Sequence, residues 1–252
     1  MLSRLWLVVV LAELGEFVEG LTRGEEAAQI AMSVDQPWSI IGANYCVGSL
    51  HLRKGDLDKA IPVLEHAFQL SQTYPLFWLP WIASALGYAK ALVGRVSEAL
   101  PLLQDGIEQA ASKRQWRFYP LQLAYLSEAY RLSDRIDDAL RLASEALDSA
   151  RDYKARGQEA WGHWNLGELV VHHDPANTEK AEDSYRRALV LADELGMRPL
   201  AAHCHVGFGR LSRNLGRLEE AREHLAYATQ MYRELEMESW LEKAVDVLGP
   251  QS

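Results

Sequence analysis

The segment GFGRLSRNLGRLEEAREHLAYA, Gly207 to Ala228, reads as helix, tight turn, helix. Phe208, Leu211 and Leu215 recur at helical spacing before Gly216 breaks the run. A second run follows through Leu218, Ala221, Leu225 and Ala228. Gly at a helix end enters the left-handed conformation without a Cβ clash, so Gly216 stops the first helix at little cost. Ala221 and Ala228 lie two turns apart on one face, where small side chains let two helices approach closely.

The same unit recurs outward from this segment. Gly216-Arg-Leu-Glu-Glu-Ala221 is matched by Gly15 to Gly20, Gly55 to Ala60, Gly94 to Ala99 and Asp134 to Ala139. A fifth copy, Asp174 to Ala181, carries two extra residues in its turn. The anchors Gly20, Ala60, Ala99, Ala139, Ala181 and Ala221 are spaced by 40, 39, 40, 42 and 40 residues. Six copies at one period imply a solenoid of helical hairpins. Nothing reads as strand, because sustained alternation is missing. Pro37, Pro75, Pro80, Pro120 and Pro199 mark joints, whereas Pro62 and Pro101 fall early in second helices, where a missing N–H is tolerated.

The pattern resembles the tetratricopeptide repeat. Gly48, Gly87, Ser127, Gly167 and Gly209 stand where that family places a small residue in its first helix, and the alanines stand at the small positions of its second. The usual period is about 34 residues, so helices or joints here are longer. The stretches LAELGEF, SALGYA, LSEAY, ADELGMRPLAAHCHVGFG and AREHLAYATQMYRELEM are similar to long-period arrays of bacterial signal-transduction ATPases of the maltose-activator kind. They also resemble C-terminal arrays of bacterial proteins joining a class III nucleotidyl cyclase to an AAA-type ATPase. No G-x-x-x-x-G-K-[ST] loop occurs, so ATPase chemistry does not carry over. The chain reads as a sensor or scaffold array, alone or cut from a larger protein.

The expected fold is all-α, a tetratricopeptide-like α-solenoid of about six hairpins forming one domain over residues 1–252. Repeat bounds fall near 1–36, 37–75, 76–115, 116–155, 156–197 and 198–237, with a capping helix at 238–248. Composition agrees with a folded chain: 48% hydrophobic and 24% charged residues. A net charge of −9 makes nucleic acid a poor partner, and Lys113, Arg114 and Arg117 are the densest basic cluster. The N-terminal run from Leu5 to Ala12 is too short to span a membrane and has no cleavage signal after it. Cys46 and Cys204 read as reduced core residues, which suits a cytoplasmic protein.

No catalytic motif or cofactor site is expected. His203 and His205 point about 200° apart on a helix and cannot share a metal. His172 and His173 end a helix without evident partners. Neither cysteine sits in a nucleophile motif, and there is no G-x-S-x-G elbow.

The resemblance implies a concave groove lined by first helices. A stripe at i, i+3, i+7 and i+10 selects Tyr45 and Ser49 in the second unit, then Trp81, Ser84 and Tyr88 in the third. It selects Glu128 and Arg131 in the fourth, Trp161, Trp164 and Glu168 in the fifth, and His203, Arg210 and Arg213 in the sixth. Aromatic rings with a few charges fit a peptide groove; rings that fill gaps between long helices are the alternative. The first functional reading is a non-catalytic scaffold for an extended peptide or protein. A small-molecule effector sensor is second and a hydrolase with an unrecognised site third. Leu2, Leu5, Trp6, Val8, Val9 and Val10 make the first helix apolar nearly all round, which points to a homodimer through that end.

Overall fold

The computed structural model describes residues 2–33, 36–74, 77–174 and 177–248. Met1, Pro75 and the Pro175–Ala176 part of the irregular turn lie outside them. Six hairpins follow in order. They are α1 (Leu2–Leu14) with α2 (Phe17–Ser33), α3 (Pro37–Lys54) with α4 (Leu57–Thr73), and α5 (Leu79–Leu92) with α6 (Val96–Ser112). A short 3-10 helix (Trp116–Phe118) leads into α7 (Tyr119–Leu132) with α8 (Ile136–Asp152). Then come α9 (Arg156–His173) with α10 (Thr178–Leu195), α11 (Arg198–Asn214) with α12 (Leu218–Glu234), and the closing α13 (Glu238–Leu248). No strand occurs among the described residues.

The turns repeat at both ends of each unit. Gly15, Gly55, Gly94, Asp134 and Gly216 are all left-handed, and each sits at a position read as a turn from sequence. A second left-handed set lies between units, at Arg114, Lys154, Gly196 and Glu236. The next residue donates its N–H back across the turn, as in Gln115 to Ala110, Ala155 to Ala150, Met197 to Ala192 and Met237 to Tyr232. That six-to-one closure satisfies carbonyls a helix end would leave bare. Three of the four inter-unit positions are not Gly and pay for it. Lys154→Gly is expected to stabilise the fold by about 0.5–1 kcal/mol, relief of the left-handed cost exceeding the added chain entropy. A lower denaturation midpoint at unchanged m-value would contradict this.

Pro62 and Pro101 differ from expectation. Each is the sixth residue of its helix, α4 and α6, beyond the turn whose N–H groups are orphaned anyway. Each therefore removes a ladder hydrogen bond.

First helices form the inner layer, each packed on its own second helix and on the next first helix; second helices form the outer layer. Outer helices bury one stripe: α8 buries Ala139, Leu142, Ala143, Ala146, Leu147 and Ala150. The inner helix α5 is buried all round, every residue from Pro80 to Ala91. Closure of the superhelix explains this. A Cβ added at Gly15 would stand 2.8 Å from Leu235 Cδ2, and one at Gly55 2.5 Å from Trp240 Nε1. Lys54 reaches Glu236 at 3.6 Å. The first units thus abut the last, and no side chain larger than hydrogen fits at those two glycines without a shift. The apolar girth of α1 is used accordingly: Leu5, Val8, Leu11 and Ala12 are buried, and Trp6 and Val9 pack on the core. Leu2, Leu7 and Val10 stay exposed.

Candidate functional site

Closure leaves two mouths and a neck where an open groove was expected. The first mouth, a cavity of 330 Å³, is apolar: Val9, Val10, Leu14, Phe118, Leu121 and Met197 line it, with Glu13, Arg53 and Trp161. The second, of 280 Å³, gathers Glu128, Arg131, Trp164, Glu168, His203 and Arg210 from α7, α9 and α11. Leu92, Leu132, Tyr232, Trp240, Lys243 and Val247 are among the other residues of its wall. Between them Arg53, Tyr88, Tyr125, Trp161 and Trp164 leave a gap of 20 Å³.

The second mouth is a network of paired charges. Arg131 Nη2 donates to Glu128 Oε1 at 2.6 Å and its Nε to Oε2 at 2.8 Å. Arg210 Nη1 donates to Glu168 Oε2 at 2.8 Å, while the Tyr185 O–H donates to Oε1, also at 2.8 Å. Tyr185 reaches Glu168 from the outer helix α10 because Gly167 and Gly207 leave room: a Cβ at either would come within 2.6 Å of its ring. Burial works against the Glu168 charge, but Arg210 and the Tyr185 hydroxyl outweigh it, and its pKa lies below the usual value. His203 shares a 2.6 Å hydrogen bond with Tyr232 through Nδ1. Burial first, then the charges of Arg53 and Lys243, push His203 down to about 3, so the ring is neutral.

The remaining sequence candidates lie elsewhere. Trp161 lies between the first mouth and the neck, and Tyr88 is stacked on Tyr125 at the neck, ring centroids 4.1 Å apart. Trp81 is buried in a cluster with Trp6, Tyr45, Phe77, Trp78 and Phe118. Ser84 donates to the Pro80 carbonyl at 2.9 Å and accepts from Gln122 at 2.9 Å, tying α5 to α7. Ser49 holds its hydroxyl buried and unpaired. Arg213 is exposed and donates to the Val247 carbonyl.

Trp78, Arg53, Leu132 and Lys243 were missed. Eleven residues make almost three whole turns, whereas ten fall about 80° short. Continuing the five stripes to i+11 selects Arg53, Leu92 and Leu132, which line cavities, and His172 and Asn214, which do not line these. His205 pairs with His224, Nδ1 to Nδ1 at 2.9 Å, a contact between helices that spacing cannot show. Cys46 and Cys204 are both buried and free. Among the described residues no group of three or more His, Cys, Asp or Glu is arranged to hold a metal, and no helix is long and apolar enough to cross a membrane.

Comparisons with known proteins agree with this architecture. A tetratricopeptide-repeat family model matches residues 42–74. No curated protein matches the sequence. Among solved structures, NprR in complex with its cognate peptide NprX has a TM-score of 0.74 at 13% identity, over 96% of this chain and 70% of that one. A Rap protein complexed with Competence and Sporulation Factor has a TM-score of 0.70 at 12% identity, over 98% and 84%. A signal-transduction ATPase with a tetratricopeptide-repeat sensor, from Pyrococcus horikoshii, scores 0.62 at 19% identity; 93% of this chain is covered but 36% of that one. Period, hairpin geometry, the matched unit and the shared fold make this chain a tetratricopeptide-like α-solenoid.

Proposed function

We propose that the chain, as one superhelical domain, is a non-catalytic interaction module holding a peptide or protein partner at the second mouth. The observation that carries this is convergence: Glu128, Arg131, Trp164, Glu168, His203 and Arg210, spread over three repeats, line one open cavity. NprR and the Rap protein, both of this fold, were solved with peptide or factor bound, which supports the reading. The other candidates, Tyr45, Ser49, Trp81, Ser84, Tyr88, Trp161 and Arg213, lie outside this cavity and are not part of the proposed contact.

A random peptide library panned against the protein tests this. Recovered peptides are expected to lose roughly tenfold or more in affinity for Leu132→Trp, which fills the mouth from an exposed position without emptying the core. Recovery of no peptide, or unchanged binding to a variant of unchanged melting temperature, would sink the proposal.

The apolar first mouth favours a second reading, a small-molecule effector site, since ligand cavities of 300–1,000 Å³ are mostly apolar with few polar groups. The likeness to an ATPase with a tetratricopeptide-repeat sensor is compatible with it. A hydrolase reading gains no comparable observation. A homodimer through α1 would rest on Leu2, Leu7 and Val10, and a sedimentation profile of pure monomer at tens of micromolar, where weak dimers show, removes it. A cytoplasmic setting is part of the proposal, supported by the two free thiols.

A further inference from the structure

The edge of the solenoid formed by the inter-unit turns is cationic and aromatic at its middle. Lys113, Arg114 and Arg117 follow α6 and Lys154 follows α8, and all four are exposed. Among the described residues none of the four has a carboxylate within 4.0 Å, whereas Arg156, next along the edge, is paired with Glu194. Asp152 is the acidic residue nearest to them in sequence, so these two turns hold a positive surplus on a chain whose net charge is −9. Arg114 and Lys154 also stand at left-handed positions, φ 54° and 52°, which glycine would occupy at less cost.

Aromatic rings run through the same turns. Half-buried Trp116 lies parallel to Tyr153 across the two turns, ring centroids 6.2 Å apart and planes at 10°. Phe118 continues the line to Trp81 at 4.9 Å, and Trp81 to Phe77 of the preceding turn at 4.5 Å. Phe77 and Tyr153 are each 48% exposed. None of these side chains lines the second mouth. Successive turns at a solenoid edge form a ridge, and a ridge meets a plane more readily than it encloses a segment. Lys and Arg interleaved with Phe, Trp and Tyr suit a lipid surface, where cations meet anionic headgroups and rings settle at interface depth. A nucleic-acid strand asks instead for a basic track over several units. Beyond Lys154 the edge offers paired charges, Arg156 with Glu194 and Arg198 with Glu234.

We propose that this edge docks the protein peripherally on an anionic lipid surface, with Lys113, Arg114, Arg117 and Lys154 at the headgroups and Phe77, Trp116 and Tyr153 at the interface. The docking is independent of the peptide reading, because the second mouth takes no part in it.

Co-sedimentation with phosphatidylcholine vesicles containing about one-third phosphatidylglycerol tests this, at about 0.1 M salt so that screening is moderate. Binding is expected to these vesicles and not to phosphatidylcholine alone. A cation near such a surface multiplies partitioning about fivefold, so Lys113→Gln with Lys154→Gln should weaken binding roughly 20-fold or more. Both side chains are exposed, so the fold does not depend on them. Lys59→Gln with Lys180→Gln makes the same charge change in the first turns of α4 and α10, at the opposite edge, and should alter binding less than about twofold. Phe77→Ser should weaken binding while leaving its salt dependence unchanged. Absence of binding to the anionic vesicles overturns the inference, as does an equal loss in the two double variants. Binding of a single-stranded oligonucleotide or of polyglutamate, without vesicle binding and with the same ranking of variants, assigns the edge to a polyanion and overturns it as well. Each of these outcomes leaves the peptide reading standing.

Discussion

Lowering the pH from 7 to 4.5 is expected to destabilise the fold by about 2–3 kcal/mol through His203 alone. In the unfolded chain this imidazole titrates near its ordinary 6.5, but in the fold burial holds it at about 3. Below 6.5 the unfolded chain takes up a proton that the folded chain refuses. The stabilising contribution is therefore complete above pH 6.5 and drains away as the pH falls toward 3. Burial also depresses His51, His163, His205 and His224, the third of these to about 4, so the slope exceeds one proton. Glu168 adds a further loss only at lower pH, because its depressed carboxyl starts to matter below 4.5. Urea denaturation at pH 7 and 4.5 measures the drop. His203→Gln, which cannot titrate, should lose less on acidification by about 2–3 kcal/mol. A variant whose pH profile runs parallel to the natural protein would show that His203 is not the group responsible.

The repeat and its inner turns were legible because both are local. Gly15, Gly55, Gly94 and Gly216 announce their turns through the one residue that takes positive φ freely. Arg114, Lys154 and Glu236 adopt the same conformation without announcing it, so half the turn geometry stayed hidden. In the candidate site, Glu128, Arg131, Trp164, Glu168, His203 and Arg210 came together because a stripe on a first helix keeps its face from unit to unit. Closure was not legible. It accumulates from small rotations between units, and its seam joins residues with no periodic relation, such as Glu13 and Trp161, 148 positions apart. One signal did exist. LPWIASALGYAKAL, now α5, has small or apolar residues on every face, as a helix covered on all sides requires. α1 is different: Leu5, Val8, Leu11 and Ala12 are covered within the chain, but Leu2, Leu7 and Val10 stay exposed.

That seam makes the second large prediction. Trp161→Ala is expected to cost about 3–5 kcal/mol of stability, as truncation of a buried ring does. More is lost at this position than packing. The Trp161 indole N–H donates to Glu13 Oε2 at 2.8 Å, and the Arg53 guanidinium lies 4.0 Å over the ring. Arg53 in turn donates to Glu13 Oε1 through Nε at 3.0 Å and Nη2 at 2.6 Å. One carboxylate on α1 is thereby held by α3 and by α9, across the ring. Arg53→Ala should cost about 3 kcal/mol, the lower end for breaking a buried pair, because the Glu13 side chain keeps 27% of its exposure and can turn to water. Trp161→Phe keeps the ring and removes only the donor, so it should cost about 1–2 kcal/mol. Because all three groups share one contact, the Arg53→Ala, Trp161→Ala double variant should lose less than the sum of the singles. Small-angle scattering should record a larger radius of gyration for it, the first units swinging away from the last while the outer helices keep their helical signal. A double variant that loses the full sum and stays as compact as the natural protein would mean that Pro199, Leu235 and Trp240, seated against Gly15 and Gly55, hold the ring shut without this carboxylate.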